Sequence, residues 1–226
     1  NYLIQPRILV VLEEGAQAAV IEQYVSSSKQ FYFTNAVIEI LVGASAFLEY
    51  YRIVDEGKSA SHISTVAAIQ AHSSKFASNN LTFGAKLARN DLAVKLDAEN
   101  ATALLNGLYI AGGIEQVDNR ILIDHAQPRC ASRELYKGIL DGRSKAIFGG
   151  KILVPPGAKG TDANLVNKNL LLSDGAKVNT HPQLKIFADD VKCVHGAAVG
   201  QLDETMIFYL RSRGLSQAMA AKLLIN

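Results

Sequence analysis

The sequence contains very little cysteine. Only Cys130 and Cys193 occur among its 226 residues. Two thiols can build neither a disulfide framework nor a four-thiolate metal site. Their scarcity favours a reducing, intracellular compartment.

Long apolar runs and an excess of one charge are also missing. The 23 Lys and Arg residues nearly balance 21 Asp and Glu, which leaves a net charge of +2. No basic cluster indicates nucleic acid or an anionic membrane as a partner. The apolar run 8–12 is too short for a signal or membrane-spanning segment. Because the first residue is Asn1, we expect the chain to be part of a longer protein.

Two further motifs of enzyme chemistry are incomplete. Gly149-Gly150-Lys151 has a lysine but lacks the leading spacing and the following Ser or Thr of a phosphate-binding loop. Asp189 and Asp190 are adjacent, so in a strand their side chains would point apart. They are therefore interpreted as the turn between two extended segments, 184–188 and 191–195, which are predicted to form a strand pair. They are not interpreted as the carboxylate pair of a glycosidase.

The sequence is instead rich in short apolar runs, four to eight residues long, separated by Gly, Asn, Asp, Ser or Pro. These lengths and separators are typical of β-strands. Several runs alternate: Leu92, Val94 and Leu96 are expected on one face of a strand, with Ala93 and Lys95 on the other. The sequence therefore predicts a chain composed mainly of strands.

A faint repeat orders these strands. The stretch that begins at Gly15 resembles the one that begins at Gly43, and related stretches begin at Asn100 and Gly157. A period in the twenties predicts a β-solenoid, in which each turn buries its apolar side chains by stacking on its neighbours. A β-sandwich would give similar runs without the period, and it remains the alternative at this point.

The pattern changes near Leu202. Residues 1–202 are predicted to form the β core, and residues 203–226 the start of a C-terminal helical segment that is cut short. Asp203 is a suitable N-cap, Gly214 a suitable residue after the first helix, and Ser216 a cap for a second.

Four separated stretches of the sequence resemble one known family: 132–142 with 148–152, 169–173, 181–197 with its Cys193-Val194-His195-Gly196 motif, and 208–214. The family is the SufB/SufD family of the SUF iron–sulfur cluster assembly system. The Cys-x-His-Gly motif is similar to the SufD branch, because SufB proteins have Glu-His-Glu around the matching histidine. Lys185, Val194 and Ala198 depart from the family pattern and leave the motif in place.

This resemblance implies a fold and a set of partners. The fold is a right-handed parallel β-helix core with helical segments. The chain is expected to be a non-catalytic scaffold subunit that pairs with a SufB-like subunit and docks a SufC-like ABC ATPase, in a bacterial cytoplasm or, alternatively, a plastid stroma. In isolation it can form a homodimer. The candidate ATPase-docking residues lie in the first helix of the C-terminal segment: Phe208, Tyr209, Arg211 and Arg213.

The resemblance also assigns a site. It implies that His195 lies at the interface with the SufB-like partner and is needed for cluster assembly. Cys193 shares a face with His195 if residues 191–195 form a strand, and thiolate and imidazole are donors that suit iron. Two donors are too few to hold a cluster alone, so we expect a transient cluster completed by the partner, with no permanently bound cofactor. The alternative for Cys193 is packing inside the core.

The remaining Cys and His residues receive structural interpretations. Cys130 is predicted to pack in the core or at a corner, and His62, His72 and His181 to lie on the surface. Two other functions stay open from the residues alone. One is a β-helix polysaccharide lyase or hydrolase, and the other is a purely structural β-helix in which His195 would be replaceable.

Overall fold

The computed structural model describes residues 2–26 and 29–225. Within this part of the chain lie fifteen strands and two short helices. Their bounds are β1 Tyr2–Ile4, β2 Arg7–Leu12, β3 Gln17–Val25, β4 Tyr32–Val42, β5 Phe47–Asp55, β6 Ser61–Gln70, β7 Lys75–Thr82, β8 Leu87–Leu96, β9 Thr102–Ala111, β10 Gln116–Asp124, β11 Ala131–Leu140, β12 Lys145–Val154, β13 Asp162–Leu171, β14 Lys177–Ile186, β15 Lys192–Gln201, α1 Glu204–Ser212 and α2 Gln217–Ile225.

The strands form two parallel sheets. Sheet A contains β1 and β2, which both pair with β4, and the even-numbered strands from β4 to β14. Sheet B contains the odd-numbered strands from β3 to β15. Because consecutive strands alternate between the sheets, each pair of strands makes one turn of a parallel β-solenoid. The solenoid prediction is confirmed, and the β-sandwich alternative is wrong.

The length of one turn is close to the predicted repeat. In the shortest turn Ser61 pairs with Leu87, and in the longest Lys145 pairs with Lys177. The alignment of Gly15 with Gly43 is wrong by two positions, because Gln17 pairs with Phe47. Gly15 is therefore equivalent to Ser45, and both residues have positive φ.

One corner of the solenoid is built the same way in every turn. The residue two positions before each sheet B strand has positive φ, and most of these residues are not glycine. The amide N–H of Ser45, for example, donates to the carbonyl of His72 in the next turn (2.8 Å). Such bonds offset the cost of a left-handed L-residue, about 1–2 kcal/mol. The corner residues are Gly15, Ser45, Ser73, Asn100, Arg129, Gly160 and Asp190.

Side chains that point inward between the sheets form the core. Leu92, Val94 and Leu96 are buried, as their alternation predicts, and Cys130 is buried as well. The interior also holds large aromatic rings. The Tyr136 ring lies over Gly107, where an added Cβ would overlap the ring, and the Tyr109 ring covers another glycine in the same manner. Glycine at these strand positions thus makes room for a ring from a neighbouring turn.

The last strands and the helices follow the predicted order with one correction. The stretches 184–188 and 191–195, predicted to be a strand pair, belong to different sheets and do not pair with each other. Asp203 caps α1, where its Oδ1 accepts from the N–H of Thr205 (2.8 Å). Ser216 Oγ accepts from the N–H of Met219 (3.2 Å) and caps α2.

Strand β15 ends at Gln201 and α1 begins at Glu204; the division into domains at residue 202 stays a prediction. No helix in the described ranges is long and apolar enough to cross a membrane. The last residue of the predicted truncated segment, Asn226, lies outside the described residues.

Replacing Gly107 by alanine tests the ring-over-glycine packing. The new Cβ overlaps the Tyr136 ring, and overpacking of this kind costs about 1–3 kcal/mol. We expect Gly107→Ala to lower the free energy of unfolding by that amount, measured by denaturant titration. Gly149→Ala is the matched control, because nothing lies within 4 Å of its added Cβ. Equal stability of the two variants would contradict the packing described.

Candidate functional site

The candidate residues lie on the last strand of the solenoid. In β15, Cys193 stands beside Ala163 and His195 beside Leu165 of β13. Both partners are fully buried inward-facing residues, so Cys193 and His195 also face inward. The two Cα atoms are two residues apart on one strand, about 6.5 Å. The structure therefore brings the predicted pair together on one face.

The inward face of this last turn is open to solvent. His195 is exposed, and Val178, Thr180, Pro182 and Leu184 of β14 are only partly buried. Their counterparts one turn earlier are enclosed, since Phe148 and Ile152 have no exposed surface. The difference arises because β14 pairs only with β12 and β15 only with β13. No described strand pairs with the other edge of either.

The two candidate donors differ in their surroundings. Burial raises the pKa of the half-buried Cys193 thiol. A hydrogen bond from the backbone N–H of Ala163 lowers this pKa, and the Asp162 carboxylate raises it. The thiol is therefore protonated at neutral pH. The imidazole of His195 has no hydrogen-bond partner among the described residues and is free to accept a ligand.

These two residues stand without further metal-binding groups. Within the described part of the chain, no three or more His, Cys, Asp or Glu side chains lie close enough to hold a metal ion. A structural iron–sulfur centre needs about four protein donors. The last turn offers at most two of them.

The candidate docking residues Phe208, Tyr209 and Arg211 lie on α1, and Arg213 directly follows its last residue. Ile207 and, on α2, Ala220 are buried. Phe208 is 71% exposed and Tyr209 is 51% exposed. The guanidinium of Arg213 lies over the Tyr209 ring, 5.2 Å from its centroid. An apolar and cationic surface thus projects from the end of the solenoid.

The comparisons with known proteins agree with this architecture. Residues 1–226 match the family described as "SUF system FeS cluster assembly, SufBD core domain". The chain belongs to the SufBD family of iron–sulfur cluster assembly proteins. The "Iron-sulfur cluster assembly protein SufD" of Escherichia coli is 38% identical over 214 residues, which are 95% of this chain and 51% of that protein.

Two other relatives show how widely this SufBD core occurs. An "Iron-sulfur cluster assembly SufBD family protein" of Synechocystis is 38% identical over 99% of this chain and 51% of its own length. "Protein ABCI7, chloroplastic" of Arabidopsis thaliana is 34% identical over 98% of this chain and 47% of its own length. The chain spans about half the length of the curated relatives it matches.

Buried titratable groups of this SufBD core were missed from the sequence. His62 was expected on the surface but has 0% exposure, and its Nδ1 lies 3.0 Å from Glu56 Oε2. His125 is buried next to Ser132, with Nε2 to Oγ at 2.9 Å. Glu134 is buried with no partner for either carboxyl oxygen among the described residues. No sequence pattern indicates this burial, because histidine and glutamate are more often exposed.

His125 makes the stability of the SufBD core sensitive to acid. Burial lowers the pKa of His125 to about 4, although the Asp162 carboxylate opposes the shift. The pKa of a histidine in an unfolded chain is about 6.5. The stability that depends on a neutral His125 is therefore fully present above the pKa of the unfolded chain. It is lost as the pH falls to 4, and the free energy of unfolding decreases by on the order of 3 kcal/mol.

We expect His125→Gln to remove this part of the pH dependence. Urea unfolding of wild type and variant between pH 7 and pH 4 measures this dependence. The difference between their free energies of unfolding should become smaller as the pH falls, because only the wild type loses the stability that depends on a neutral His125. His181→Gln is the control, because it replaces an exposed histidine and should leave the pH profile of stability like that of wild type. Identical pH profiles of wild type and His125→Gln would refute the assignment.

Proposed function

We propose that this chain is a non-catalytic scaffold subunit of an iron–sulfur cluster assembly complex. Its last turn supplies one half of an assembly site, and a SufB-like subunit supplies the other half. The observation that carries the proposal is the open last turn, which presents His195 and Cys193 on its inward face in a chain of the SufBD family. The cluster is cargo and not a resident cofactor.

The number and kind of donors support a shared site. His195 provides an unpartnered imidazole at the open face. Cys193 provides a thiol whose raised pKa keeps it protonated until a metal ion displaces the proton. Iron–sulfur clusters are usually held by about four donors, so the partner must contribute the remainder.

The free strand edges support pairing with a second β-solenoid. The outer edges of β14 and β15 have no partner strand in the described residues, and such edges readily accept a strand from another chain. A SufB-like subunit that stacks here would cover the apolar interior and His195 together. The same edges allow the isolated chain to form a homodimer.

The ATPase subunit has its own surface in this proposal. Phe208, Tyr209 and Arg211 on α1 form an exposed patch with Arg213, which directly follows the helix. Aromatic and arginine side chains are frequent anchors at protein interfaces. We propose that a SufC-like ABC ATPase docks on this patch and performs the ATP hydrolysis for which this chain has no phosphate-binding loop.

The relatives give a partial indication of the compartment in which this chain works. We propose a bacterial cytoplasm, with a plastid stroma as the alternative because one relative is named chloroplastic. A polysaccharide lyase or hydrolase is disfavoured, since the family described for residues 1–226 is one of cluster assembly.

Substitution of His195 tests the shared site. After anaerobic co-expression with SufB-like and SufC-like subunits, we expect His195→Ala to reduce the iron and sulfide content of the purified complex by on the order of 10-fold or more. The physical reason is the loss of an imidazole donor on the open face. His181→Ala is the matched control, because His181 is an exposed histidine on the neighbouring strand and points to the outer face.

Cys193→Ala distinguishes the two interpretations of the thiol. A decrease comparable to that of His195→Ala identifies a donor, whereas wild-type cluster content assigns the thiol to core packing. If His195→Ala and His181→Ala leave equal cluster content, His195 has no part in assembly and the proposed site is wrong.

Substitution of Phe208 tests the ATPase surface. Because its side chain is 71% exposed, Phe208→Ala should leave the unfolding midpoint unchanged while weakening ATPase binding by about 10-fold or more. Isothermal calorimetry with the full-length chain measures the affinity. Leu223→Ala on α2, also an exposed apolar residue, is the control and should bind normally. Equal ATPase affinities of wild type and Phe208→Ala would show that the ATPase docks on another surface.

A further inference from the structure

Five buried side-chain atoms in the middle of the solenoid have no hydrogen-bond partner among the described residues. They are Asn80 Oδ1, Asn119 Nδ2, Tyr136 Oη and both carboxyl oxygens of Glu134. All four residues are at most 5% exposed. An unpaired buried polar group costs about 1–3 kcal/mol, so five of them would consume most of the stability of a typical domain.

The four side chains lie next to one another. Asn80 and Tyr136 belong to the same inward column of sheet B, on either side of Gly107, and the Tyr136 ring extends over that glycine. Asn80 Nδ2 donates to Asn119 Oδ1 across the interior (3.5 Å). Glu134 is two residues before Tyr136 on the same face of β11.

Electrostatics link the same groups. Burial raises the pKa of Tyr136, the Glu134 carboxyl raises it further, and Arg52 and the Asn80 side chain lower it. The geometry places these groups together, because Asn80 and Tyr136 share an inward column, Asn80 bonds to Asn119, and Glu134 is the next inward residue of β11. The unpaired atoms therefore belong to one polar region of the interior.

The mixture of hydrogen-bond donors and acceptors indicates which molecule fits this polar region. Asn119 Nδ2 can only donate, Asn80 Oδ1 can only accept, and the Tyr136 hydroxyl can do both. A cation would be opposed by the Asn119 amide hydrogens, and an anion by the Asn80 oxygen. Water can satisfy every one of these groups, and buried water usually makes about three such bonds.

We infer that Asn80, Asn119, Tyr136 and Glu134 enclose a buried water site in which Glu134 is a neutral carboxylic acid that exchanges its proton with the enclosed water. Its neighbours on the adjacent strands are Leu105 and Leu165, which carry no charge. Burial alone raises the pKa of Glu134 to about 8, so the acid keeps its proton at neutral pH.

The other titratable groups of this interior do not alter the protonation state of Glu134. The Arg52 guanidinium donates to Ser64, and burial keeps His125 neutral with a pKa of about 4. Burial raises the pKa of Tyr109 to about 12, and its hydroxyl bonds to Asn167 and Asn169. Glu134 is thus the titratable member of the water site near neutral pH.

Glu134 also lies below the open end of the solenoid. Glu134, Leu165 and His195 follow one another in a single inward column of sheet B. At two strand spacings, Glu134 is about 10 Å from His195. The water site and its exchangeable proton do not depend on whether the last turn binds a partner.

Infrared spectroscopy of the intact chain tests the state of Glu134. We expect a carbonyl stretch of a protonated carboxylic acid at pH 6.5 that shifts in D2O, disappears with a midpoint near pH 8, and is missing in Glu134→Gln. Glu115→Gln, which changes a partly buried carboxylate at a corner, is the control and should keep the band. Absence of the band from wild type at pH 6.5 would show an ionised Glu134 and overturn the inference.

A high-resolution crystal structure tests the water directly. Ordered water should contact at least two of the four side chains, and Tyr136→Phe should displace or lose one water molecule. Tyr109→Phe is the control, because the Tyr109 hydroxyl is already bonded within the protein, and it should leave these waters in place. A dry interior, or a bound ion in place of water, would contradict the site.

Discussion

The parallel backbone ladder between successive turns is the interaction on which the rest of this structure depends. Every strand in the middle of the solenoid uses the N–H and C=O groups of both its edges, one with the turn before and one with the turn after. Side chains are buried by the same stacking. A turn with a neighbour on one side only therefore has free backbone groups and an open interior at once. The last turn, β14 and β15, has both.

This constraint explains why the candidate site is found where the solenoid ends. An inward-facing residue such as Leu165 is fully enclosed one turn before the end. His195, which is next in the same column, has the same orientation but is exposed. A position that would be core in any middle turn becomes a surface position that another subunit can complete. The proposed shared site follows from the same geometry that makes the core.

Much of the fold could be predicted from the sequence, because its signal is periodic. The alternation of Leu92, Val94 and Leu96 and a repeat period in the twenties indicated stacked strands correctly. The register of the repeat was wrong, since Gly15 is equivalent to Ser45 and not to Gly43. Stacked hydrogen bonds at the corner allow a non-glycine residue to have positive φ, so the glycine pattern is an unreliable marker of the corner.

The candidate site and the interior differ in how much the sequence reveals. Cys193 and His195 could be assigned to one face because alternate residues of a strand share a face. Glu134 and His62 could not be assigned to the interior. In a strand with alternating polar and apolar residues, the polar residues are expected on the surface. In β11 the apolar Leu135 is 38% exposed and Glu134 only 2%. The polar interior reverses the usual pattern, and only the three-dimensional register reveals it.

Amide hydrogen exchange of this chain, alone and mixed with a SufB-like subunit, shows whether another subunit completes the last turn. Amides of β14 and β15 should exchange at least about 10-fold more slowly in the mixture, since their free edges become paired. Amides in the middle turns, such as those of β8 and β9, should be unchanged. Unaltered exchange in β14 and β15, with new protection elsewhere on the chain, would show that the subunit binds at another surface and leaves the last turn open.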